Sequence, residues 1–127
     1  MTMSDATQST ARLRAFFDDL GKRLDHDVDN ARENGLDVGA LEEQGELNIG
    51  LARRLLADIA FNLADTEATR SARDNILASE AWPGREAELK KYNEQLNELE
   101  IMRLGDAVFV QWTIAQVRAC QWEKMGA

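Results

Sequence analysis

Apolar residues recur at three- and four-residue steps along most of this chain, the interval that stacks side chains on one face of an α-helix. Leu13, Phe17, Leu20, Leu24, Val28 and Ala31 form the first such stripe, which begins near Ser9. Ser9 or Thr10 can cap its start, and Asn34-Gly35 supplies residues that tolerate a left-handed stop. Gly21 interrupts the stripe at a cost of up to about 1 kcal/mol against alanine, which a close helix contact would explain. A second stripe, Leu41, Ala52, Leu55, Leu56, Ile59 and Leu63, predicts one helix capped by Asp37, with Gly39, Gly45 and Gly50 softening its first turns. Residues 65–75 are polar almost all round. They either continue that helix as an exposed rod or form a separate helix capped by Asp65 or Thr66 and ending near Glu80.

Trp82-Pro83-Gly84 is the strong breaker of the second half and predicts a hairpin corner, because proline cannot sit in a helix interior and glycine relaxes the turn. A last helix starts near Arg85, with Leu89, Tyr92, Leu96 and Leu99 as its inner stripe and Glu86, Glu88, Glu94, Glu98 and Glu100 outward. Its second half, Ile101 to Trp122, is the most apolar run of the chain, and Leu104, Val108, Val110, Trp112, Ile114 and Val117 point in several directions on a wheel. A helix apolar on more than one face needs cover on more than one face. Arg103, Asp106 and Arg118 inside the run count against a membrane span, each costing about 2.5–3.5 kcal/mol at the centre of a bilayer. A strand over Val108 to Ile114 would have no second alternating segment to pair with. The expected fold is all-α: an antiparallel three- or four-helix bundle with a long C-terminal helix, as one domain over residues 9–127 behind a flexible tail of residues 1–8.

Composition adds a sign. Fifteen basic against 23 acidic residues leave a formal charge of -8 over 127 residues, which opposes direct binding to nucleic acid and favours a basic protein or nucleoprotein partner. The single cysteine, Cys120, forms neither an internal disulfide nor a cysteine metal cluster. Residues 1–10 lack the basic start and apolar run of a secretory signal, so the cytoplasm is the expected compartment.

The candidate chemistry is sparse. His26, in Asp-His-Asp-Val-Asp, resembles the phosphoryl-accepting histidine of histidine phosphotransfer domains, but the position of the steadying lysine holds Asp29. Asp25, Asp27 and Asp29 alternate like calcium-loop ligands, whereas Asn30 and Leu36 stand where such a loop needs glycine and glutamate. Leu41-Glu42-Glu43-Gln44-Gly45-Glu46 resembles the first half of the signature of all-α nucleotide pyrophosphohydrolases, which implies Glu42, Glu43 and Glu46 as magnesium ligands. Of that family's second pair only Asp58 has a counterpart, its partner position being Leu55. The Trp-x-Gly corner is similar to that of small secreted helical hairpins, although Leu96 replaces the acid expected after Tyr92.

With one histidine and an apolar setting for Cys120, no nucleophile–base pair can be assembled, and no cofactor or metal site is expected. The leading expectation is therefore a non-enzymatic acidic binding protein, of the kind that inhibits or confers immunity or anti-defence in bacteria and phage. It would occupy a basic site through Asp25, Asp27, Asp29, Glu42, Glu43 and Glu46, with Trp112 and Trp122 as apolar anchors. A metal-dependent pyrophosphohydrolase is the first alternative. A self-associating helical adaptor, in the simplest case a homodimer, is the second.

Overall fold

The computed structural model describes residues 5–126, which form helices α1 (Asp5–Glu33), α2 (Val38–Glu43), α3 (Ile49–Leu77) and α4 (Arg85–Gly126). It is the helical bundle with a long last helix that the spacing predicts. Helix α1 begins at Asp5, ahead of the Ser9 or Thr10 start expected from the caps, and residues 1–4 of the expected tail lie outside the described residues. It stops where expected: Gly35 takes φ of +85°, and the Leu36 amide donates to the Ala31 carbonyl at 3.0 Å.

The single helix expected from Asp37 to Leu63 is instead two. Asp37 does cap α2, accepting the Ala40 amide at 3.1 Å, but α2 closes after six residues. Gly45 turns left-handed at φ +77°, and the Glu46 amide folds back to the Leu41 carbonyl at 2.9 Å. A new helix then opens at Ile49. Its N-cap residue, Asn48, makes no side-chain cap; the Glu42 carboxylate of α2 accepts the amides of Ile49 and Gly50 in its place. Past Leu63 the chain stays helical to Leu77, so the polar segment continues α3 and is neither a separate element nor an exposed rod: most of it is half-buried, and Thr66 is fully buried.

The corner ties itself off. Arg85 donates to the carbonyls of Ile76 and Leu77 at the end of α3, and the Trp82 indole donates to Ser79 Oγ, so α4 returns antiparallel along α3. The core joins Leu20, Leu24, Val28 and Ala31 of α1 to Val38, Leu47, Ile49 and Ala52 and to Val110, Ile114 and Val117 of α4. Gly21 faces α3, but a Cβ there would lie 3.6 Å from Leu56, an ordinary van der Waals distance, so the approach does not require glycine. No helix among the described residues is long and apolar enough to cross a membrane.

Candidate interaction surface

Helix α4 runs for 42 residues, roughly 63 Å at 1.5 Å per residue, and α1 and α3 cover only one side of its apolar half. Ala107, Val110, Thr113, Ile114 and Val117 are buried on that side. On the opposite side Ile101, Leu104, Val108, Trp112 and Trp122 remain open, Val108 at 64% exposure, Trp112 at 47% and Trp122 at 76%. Gly105, Ala115 and Ala119 fill the gaps between them and are also exposed. Phe109 packs on the core and leans against Trp112, with ring centroids 5.8 Å apart. The expectation of more than one apolar face is thus met, and one such face has no cover among the described residues.

The acidic residues divide. Asp27 is largely buried and accepts Arg118 Nε at 2.8 Å, clamping α1 to α4. Asp25 accepts Arg53 of α3 at 3.1 Å, and Glu42 caps α3. Asp29 is exposed beside Arg32, and Glu43 and Glu46 are exposed. Asp25, Asp27 and Glu42 therefore carry fold contacts, while Asp29, Glu43 and Glu46 present charge to solvent. His26 points outward, its Nδ1 3.5 Å from Asp27, and Lys124 reaches the Gly35 carbonyl.

Among the described residues no three histidine, cysteine, aspartate or glutamate side chains converge as metal ligands, so the donor set implied by the pyrophosphohydrolase resemblance is not assembled. Asp58, its one second-helix counterpart, is instead close enough to Asp106 of α4 to raise that residue's pKa, together with the larger effect of burial. The Cys120 thiol is also pushed up, by burial first and by Glu123 and Glu46, which keeps it a poor nucleophile.

One polar cluster has no counterpart in the sequence reading. Arg103, 6% exposed, donates to Asn62 Oδ1 at 2.8 Å and Thr66 Oγ at 3.1 Å, while Asn62 Nδ2 donates to the Leu99 carbonyl and Thr66 Oγ to the Asn62 carbonyl. Burial and the neighbouring Arg70 lower the Arg103 pKa, and Glu100 opposes them. This cluster fixes the register of α3 against α4. Arg103 is on the side of α4 opposite its open face.

No protein-family model matches the chain, and no curated protein or solved structure is significantly similar to it.

Proposed function

We propose that this chain is a non-enzymatic binding protein whose docking surface is the uncovered apolar face of α4. The observation that carries the reading is the continuity of that face: Ile101, Leu104, Val108, Trp112 and Trp122 lie exposed along one side of a helix whose other side is locked into the core. A contiguous apolar stripe of this kind is uncommon on a surface that meets only water, and tryptophan is enriched where binding energy concentrates. A helix already packed along its other side has little backbone freedom left to lose on association.

An acidic surface directed at a basic site remains the second reading. It is supported by the net charge of -8 and the exposure of Asp29, Glu43 and Glu46. It is weakened by the internal engagement of Asp25, Asp27 and Glu42.

Affinity capture separates the two. The tagged chain is mixed with an extract of cells that also express an untagged copy, at low and at moderate salt. The apolar reading expects retention that survives salt, is lost with Val108→Glu and is kept when Asp29, Glu43 and Glu46 are all changed to lysine. Retention that falls with salt and with the lysine reversals, but ignores Val108→Glu, would transfer the function to the acidic surface.

A further inference from the structure

The open face of α4 has an internal order. Ile101, Gly105, Val108, Trp112, Ala115, Ala119 and Trp122 follow one another at alternating steps of four and three residues, and every one is exposed. That is the spacing of a coiled-coil seam, here about 33 Å long at 1.5 Å per residue. Along it, large side chains alternate with very small ones. Gly105 is the oddest member: a glycine inside a helix is unfavourable relative to alanine, and a Cβ at this position would meet, beyond its neighbours and its own helix backbone, no atom of the described residues within 4 Å. Nothing among the described residues of the single chain asks for its smallness.

Resting on the reading of this face as a docking surface, we propose that its occupant is the same face of a second copy of this chain, running antiparallel, with the two-fold axis between Thr113 and Ile114. In that register each large residue meets a small one. Trp112 lies on the partner's Ala115, Trp122 on the partner's Gly105 and Val108 on the partner's Ala119, and the two-fold repeats each pair. An isologous contact demands such self-complementarity, and this pattern of sizes supplies it without any second sequence.

Charge points the same way. Two copies bearing -8 each repel, which favours contact where acidic side chains are few. The positions flanking the seam are Leu104, Gln111 and Arg118 on one side and Met102, Phe109, Gln116 and Glu123 on the other. The antiparallel register sets Gln111 beside the partner's Arg118 and Phe109 beside the partner's Gln116, so no like charges oppose. A parallel pair would stack Trp112 and Trp122 on their own copies and leave the small residues facing each other across a gap. Continued toward the start of α4, it would also set Glu98 and Glu94 against themselves. The antiparallel pair sends those acidic halves in opposite directions.

The test is the solution mass of the full chain by sedimentation equilibrium, with circular dichroism to confirm that each variant is folded. The wild type is expected at twice the 14.3 kDa chain mass and Val108→Glu at the chain mass. Ala115→Leu separates this register from general stickiness. It adds apolar surface, yet it should weaken the dimer by about tenfold or more through collision with Trp112, and Trp112→Ala added to it should restore pairing. Orientation is read from thiol cross-linking in a Cys120→Ser background. Val108→Cys with Ala119→Cys should bridge two chains, and Val108→Cys alone should not.

A wild type that stays monomeric, a dimer indifferent to Val108→Glu, a dimer strengthened by Ala115→Leu, or efficient cross-linking by Val108→Cys alone would each overturn the proposal. The docking-surface reading fails separately, when capture ignores Val108→Glu. A monomer whose capture of a different protein is abolished by Val108→Glu would keep that reading and replace the second copy with a foreign helix.

Discussion

Arg103 occupies a position where a bundle would ordinarily place an aliphatic side chain, and it is satisfied there by neutral acceptors, Asn62 and Thr66. A buried guanidinium deprived of an acceptor costs about 1–3 kcal/mol. Asn62→Leu should therefore destabilise by roughly that amount, and adding Arg103→Leu should return part of the loss because the stranded charge leaves with it. Strictly additive effects in urea unfolding would show that the pair is not coupled. Asp106 gives a pH signature. Burial, and after it Asp58, raise its pKa in the folded state, so the ionised form opposes folding. That opposition is fully present above the folded pKa and vanishes below the unfolded one. Asp106→Asn should raise the melting temperature at neutral pH, with the gain shrinking as pH falls through the carboxylate range; a gain independent of pH would contradict this cause. Neither residue announced its role in the sequence. In the sequence both stand only as charges that break an apolar run, and burial on the α3 side of α4 is set by the pairing of two helices, which local spacing does not encode.

At the scale of elements, Asp37, the stop after α1 and the corner were readable, whereas α1 begins at Asp5, ahead of its expected Ser9 or Thr10 cap. Asp37, Gly35 and the Trp82-Pro83-Gly84 corner act as their chemistry dictates, because each works on its own neighbours. The split between α2 and α3 was hidden because the cap of α3 comes from Glu42, seven residues before Ile49, and a side chain reaching back across a turn leaves no periodic trace. The same residue is one of the magnesium ligands that the pyrophosphohydrolase resemblance implies. Glu42→Ala should cost about 1 kcal/mol in thermal unfolding, as loss of an N-cap does. Glu43→Ala and Glu46→Ala should each stay within about 0.5 kcal/mol, as exposed positions do. Equal costs at Glu42 and Glu43 would contradict the capping role. The polar length of α3 beyond Leu63 was ambiguous for a related reason. Its support is lateral, from Ser9 to Arg70, Arg14 to Glu67 and the returning α4, and not from a stripe of its own.

The whole molecule is a bundle that buries one side of its longest helix and displays the other. The surplus of apolar residues between Ile101 and Trp122 was visible in the sequence, as was the need for cover on more than one face. Which residues would be left uncovered was not, since that depends on where α1 and α3 settle. Paired through this face, two chains would form an elongated particle with a helical core on each flank and an acidic hairpin extending from each end, a shape suited to bridging. The most direct measurement is acrylamide quenching of tryptophan fluorescence in a Trp82→Phe background, which reports Trp112 and Trp122 alone, followed from high dilution to high concentration. Quenching is expected to fall several-fold as concentration rises, and Val108→Glu to abolish the fall. Equal quenching of both proteins at every concentration would leave the face of α4 open to water and contradict the account.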